Sequence, residues 1–242
     1  VLGKLHKNMA DFLHNFRHTI LGSVRNKALL SQVGKEIFIP GSSGNKAAEE
    51  IAKAWIHTAE MARLMFNKAG GSIPKLAKWG LPQMHDQLKV SSVAAKEWVE
   101  FLLNGKMLDV ENMIDHTTGK AFNAEKLHLT LYEVYDHIIK QSNAKHASRG
   151  YGKFKLANSR MDHRFLKFKN FDAWNAYNKR FGNSNMHTIM LGHLDRMAKD
   201  IAIMQKLTPD PDGHMQWMKQ QVDNWVNDQA GKISSKKLES AI

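Results

Sequence analysis

Thirteen histidines are spread through a chain that contains no cysteine. Imidazoles are common metal ligands and proton carriers, so their spacing decides what chemistry they offer. A zinc-hydrolase helix carries a His-Glu-x-x-His string, and the sequence has none. His193 and Asp195 stand two apart, which on a helix turns them to different sides. His85-Asp86 and Asp162-His163 are adjacent pairs in polar, loop-like sequence. Convergence of those four residues in space would give a metal-dependent hydrolase. Left apart, they are ordinary surface side chains. Absence of cysteine removes disulfides, zinc–thiolate sites and thiol catalysis. No metal, no cofactor and no small-molecule substrate is expected. The string Gly41-Ser42-Ser43-Gly44-Asn45-Lys46 has the flavour of a phosphate-binding loop. It lacks the full glycine–lysine–serine/threonine spacing, and no buried strand precedes it. It reads as a helix start with turn residues.

The residues from 149 to 180 carry a different chemistry. Arg149, Lys153, Lys155, Arg160, Arg164, Lys167, Lys169, Lys179 and Arg180 face only Asp162 and Asp172 as counter-charges. Tyr151, Phe154, Phe165, Phe168, Phe171, Trp174 and Tyr177 are interleaved with them. Cations displace counterions from phosphates, and aromatic faces stack on unpaired bases. The cations from Arg149 to Lys169 are therefore candidates for contacting DNA without sequence preference. Against this, Phe171, Trp174 and Tyr177 sit at helical spacing, which suits a core. The whole chain points the same way: Lys plus Arg number 35 and Asp plus Glu 23, a formal charge of +12. Such a surplus favours nucleic acid, an anionic membrane face or an acidic protein as partner.

Helices must carry these side chains. Leu5, Met9, Phe12, Leu13, Phe16, Ile20, Val24, Ala28 and Leu29 recur at three- and four-residue steps and predict a helix over 4–33. Lys4, Lys7, Arg17, Arg25 and Lys27 flank that stripe. Phe12, Phe16 and Ile20 are its candidates for an anionic membrane surface or for packing on a neighbouring helix. A breaker at 40–44 precedes a helix over 45–68 with Ile51, Trp55, Met61, Leu64 and Met65 as its stripe, closed by Gly70-Gly71-Ser72. Residues 72–91 hold Pro74 and Pro82 and read as an ordered loop with one short turn. Further helices are predicted over 92–103, over 124–141 with Asn123 as N-cap, over 171–181 and over 184–206. Pro209 and Pro211 stop the last of these. A final helix spans 213–229 with Trp217, Met218, Val222 and Trp225. Methionines 186, 190, 197 and 204 line the 184–206 helix as core filling or as an assembly face. Residues 142–162 read as an exposed loop, and the tail as polar and frayed.

The resulting fold is all-α, an irregular bundle of about seven helices with little or no β structure. Residues 1–70 form an N-terminal amphipathic helical pair, 76–230 a basic helical body and 231–242 a polar tail. No apolar run reaches the roughly 20 residues that span a bilayer. The chain begins at Val1 and ends at Ile242 without a closing signal, which reads as a piece of a longer polypeptide.

Four strings carry a likeness: LAKWGLPQMHD (76–86), IDHTTGKAF (114–122), ANSRMDHRFLKFKNFDAWNAYNKRFGN (157–183) and MLGHLDRMAKDIAIMQKLTPDP (190–211). Together they resemble a helical segment inside very large virion-associated proteins of tailed phages and prophages. Those proteins are similar to internal or ejection-type proteins, which travel in the particle and are delivered with the genome. The likeness covers roughly 76–211 and brings no functional residues with it. It implies a structural role, a place in the virion and in the host cell envelope during infection, and DNA, other copies or other virion proteins as partners. A standalone nucleic-acid-binding module and the hydrolase are the alternatives.

Overall fold

The structure is a computed structural model and describes residues 27–73, 75, 80–115, 120–140 and 166–239. It is all-α. The helices are α1 (Lys27–Phe38), α2 (Lys46–Lys68), α3 (Gln87–Ser91), α4 (Ala95–Asn104), α5 (Ala124–Lys140), α6 (Phe171–Phe181), α7 (Met186–Lys206) and α8 (Pro211–Glu239). Among the described residues the only ladder joins β1 (Ile114–Asp115) to β2 (Lys120–Ala121), antiparallel, with Ile114 opposite Ala121.

Short polar side chains start the helices by taking up N–H groups that a first turn leaves unpaired. The Asn45 side chain accepts from the Ala47 and Ala48 amides at 3.0 and 3.3 Å. Asn123 accepts from Lys126 at 2.7 Å, as expected from sequence. Asn170 and Asn185 cap α6 and α7 in the same way, at 2.9 and 3.0 Å. Gly70, at φ +103°, ends α2 with the ring of Pro209 packed where a side chain would stand.

Helix α1 packs on α2 and α6, α2 on α7, α4 on α5, and α3 on both α5 and α6. One apolar core runs through all of them, from Leu29 on α1 to Met204 on α7. The described part of the N-terminal pair thus shares the core of the body that follows. Gly34 makes the α1–α6 contact possible: a Cβ there would lie 2.1 Å from the Phe171 ring.

Three elements differ from the sequence reading. Helix α1 continues to Phe38, because Ile37 still has core to face. The buried face of α2 is Ala48, Ile51, Ala52, Trp55, Ala59, Ala62 and Phe66, while Leu64 is 53% exposed. Bulky residues suggested a stripe there, but small alanines let the neighbouring helices approach and so set the inner face. Finally, Pro211 does not merely stop α7. It is the first residue of α8, where a missing N–H costs nothing, and α8 runs on to Glu239.

Candidate functional site

The chemistry-bearing residues gather around α6. Chain segment 81–86 runs beside that helix and is stitched to it. The Trp174 indole donates to the Pro82 carbonyl at 3.2 Å. Gln83 donates to the Leu166 carbonyl at 2.7 Å. His85 forms an isolated bridge with Gly182, and the Asp86 amide donates to the Phe181 carbonyl at 2.7 Å.

The side chains of His85 and Asp86 are occupied in this stitching. Asp86 caps α3, accepting from the Lys89 amide at 3.2 Å. Lys89 in turn donates from Nζ to the Gly182 carbonyl at 2.7 Å. His85 Nδ1 lies 2.9 Å from the Tyr177 hydroxyl, with the two rings nearly perpendicular at 89°. The Trp98 indole donates to that same hydroxyl at 3.2 Å. An indole only donates, so the phenol accepts from Trp98 and gives its own hydrogen to His85. We assign the imidazole proton to Nε2 on that basis. Burial pushes the Tyr177 phenol well above its ordinary value, and the Trp98 hydrogen bond opposes the shift. The phenol therefore stays protonated and works as a buried link between α4, α6 and segment 81–86.

The other halves of the hydrolase pairing, Asp162 and His163, lie outside the described residues. So do His14 and His18, which stand four residues apart on the expected first helix. Among the described residues no group of three or more His, Asp or Glu side chains is placed to hold a metal ion. His193 is buried on α7 with its ring edge-on to Trp55, 6.2 Å between centroids, while Asp195 is exposed.

The phosphate-loop look-alike holds an anion of its own. Glu36 is 2% exposed and accepts from the Gly41 and Ser43 amides, both at 2.6 Å. Gly41 and Gly44 take positive φ, +83° and +65°, to wrap the loop around it. Ser43, through its hydroxyl first and then its amide, holds the Glu36 carboxyl below the usual carboxylate value, with burial opposing. A carboxylate of the protein thus fills the nest of N–H groups that a phosphate would need.

The basic stretch is seen in part. Arg149, Lys153, Lys155, Arg160 and Arg164 lie outside the described residues, as do Phe12, Phe16 and Ile20. Lys167 is largely covered, its Nζ 3.6 Å from Asp109, and its carbonyl accepts from the Asp109 amide at 2.8 Å. Lys169 is exposed, while its amide donates to the Met107 carbonyl at 3.0 Å. Lys179 is exposed on α6. Arg180 pairs with Glu97 and lies over the Phe101 ring at 4.9 Å. Phe168, Phe171, Trp174 and Tyr177 are buried at 4, 4, 1 and 2% exposure. These four are core and are not free to stack on bases. Methionines 186, 190, 197 and 204 are likewise buried, so they fill the core and form no outward assembly face.

An outward apolar face stands elsewhere. Every residue from Met215 to Asp228 on α8 is exposed, Trp217 and Trp225 included. Sequence periodicity marked the helix but could not show that nothing else in the described fold covers it. Among the described residues no helix is long and apolar enough to cross a membrane. No family model, curated protein or solved structure matches the chain.

Proposed function

We propose that the chain is a structural segment of a virion-associated protein of a tailed phage, of the internal or ejection type. It contacts DNA without sequence preference, and other virion proteins, during genome delivery. The observation that carries this reading is the surplus of cations, +12 over the chain. Lys27, Lys35, Lys106, Lys169, Lys179 and Lys206 are all exposed and ready to meet a polyanion. The likeness of residues 76–211 to phage virion segments supports the setting. The engagement of His85 and Asp86 in holding segment 81–86 to α6 favours a scaffold over the hydrolase.

Titration of two unrelated DNA duplexes across a salt series tests the proposal. Both duplexes should bind equally, with log K falling by about 0.9 per log unit of salt for each phosphate contacted. The triple variant Lys153→Ala, Lys155→Ala, Arg160→Ala should lose roughly three such contacts from the slope. Absence of binding at low salt, or a marked preference for one duplex, overturns it.

A further inference from the structure

We infer that α8 is the interface between two copies of this chain, paired antiparallel along its exposed apolar stripe. The inference rests on reading the chain as an assembling structural protein and names the surface that assembles.

Met215, Met218, Val222, Trp225 and Val226 are exposed at 57, 39, 58, 65 and 50%. At 3.6 residues per turn these five fall within an arc of about 100°, the width of an apolar stripe that faces a neighbour. Their steps of three and four are those of a helix that packs knobs into the holes of a second helix. Trp217 lies off the stripe. A soluble helix leaves such a stripe open only where something docks on it, and a helix partner suits this spacing.

The helix complements itself. When a second α8 runs antiparallel about a two-fold axis close to Gln220, Met215 of one copy meets Trp225 of the other, and Met218 meets Val222. Long flexible side chains then fill the space beside the indole. The flanking polar groups match in the same register. Lys219 on one edge of the stripe lies across from Asp223 of the second copy. His214 on the other edge lies across from Asp228. Each pairing occurs twice by symmetry, as an isologous interface requires. In a parallel pair His214 would instead face Lys219 of the second copy, which lacks this complementarity. The covered area is on the order of 1,000 Å² in total, the lower edge for a specific interface, so a reversible dimer is expected.

The absence of native cysteine makes a direct test possible in the full chain. Sedimentation velocity on the unmodified protein across a concentration series should show a monomer–dimer equilibrium. Lys219→Glu and Asp223→Lys should each weaken it roughly ten-fold, since both symmetric pairs are lost. Combining the two substitutions reverses both partners and should restore the dimer. Mixed Met218→Cys and Val222→Cys chains should cross-link into a disulfide heterodimer, because these positions face each other, while Met215→Cys should not cross-link to itself. Circular dichroism shows that each variant keeps its helices. A chain that stays monomeric, or dimers indifferent to both charge reversals, overturns the inference. Cross-linking of Met215→Cys to itself overturns the antiparallel register. A dimer that binds no DNA would sink the nucleic-acid half of the functional proposal and leave this interface standing.

Discussion

Helices α6 and α8 are built from similar residue types and end in opposite situations. Helix α6 and its surroundings hold Trp98, Trp174 and Tyr177 with their polar atoms paired to Tyr177, Pro82 and His85. Helix α8 holds Trp217 and Trp225 more than half exposed. Both helices carry tryptophans among polar residues, so composition does not tell them apart. The difference lies in what the chain brings against each helix. Segment 81–86 and α4 return to α6 from about 80–90 residues away in sequence. From Met215 to Asp228, every residue of α8 is exposed. An aromatic side chain is thus a core residue or a docking residue according to chain topology, and the two regions should respond differently to the same change.

The largest contrast is expected from paired truncations. Trp174→Ala removes a ring that is 1% exposed, stacked against Phe171 at 6.0 Å between centroids. It should cost about 3–5 kcal/mol of unfolding free energy through the cavity it leaves. Trp217→Ala, on the exposed helix and off its apolar stripe, should change stability by less than about 0.5 kcal/mol. Urea denaturation of both variants measures the difference. Equal losses would mean that α8 is packed into the fold after all, and the comparison would fail.

A smaller and more pointed effect is expected at the polar link. Tyr177→Phe keeps the ring and removes the oxygen that joins Trp98 to His85. The buried indole N–H then has no acceptor there, and the imidazole Nδ1 loses its donor. Leaving such groups unpaired should cost about 2 kcal/mol. Tyr177→Phe should also lift hydrogen-exchange protection at the Asp86 amide, which bonds to Phe181 beside the link. A neutral result in urea would show that the three-residue chain is incidental to stability.

Much of this fold could be read from residues alone. Asn123 announced its helix because a carboxamide before an apolar-periodic run is the cheapest acceptor for unpaired amides. The breaker at 40–44 and the glycines after α2 set boundaries that the backbone keeps, since only φ above zero closes those turns. The inner face of α2 was obscured because alanine contributes little to an apolar pattern yet decides how closely helices approach. His85 and Asp86 stood out as reactive types, but their partners, Tyr177 and Phe181, are far away in sequence and invisible to spacing rules. The open face of α8 was hidden for the converse reason. Periodicity reports that a stripe exists and carries no record of whether the same chain covers it.

The Glu36 carboxylate gives the smallest of these effects and the cleanest sign. Its folded pKa lies below the ordinary 4.5 because Ser43 and Gly41 donate to the ionised form. The folded state therefore gives up this proton more readily than the unfolded chain. Glu36 contributes its full stability above pH 4.5 and loses it as the pH falls through the lower, folded value. Glu36→Gln removes the charge while keeping the shape, and turns one acceptor into a donor that faces an amide. It should cost about 1 kcal/mol at neutral pH. The penalty should shrink steadily as the pH is lowered past 4.5, because protonation deprives the native glutamate of the same advantage. Thermal unfolding of the unmodified chain and of Glu36→Gln between pH 3 and pH 7 measures the difference. An unchanged acid limb in Glu36→Gln would show that the loop holds itself without the carboxylate.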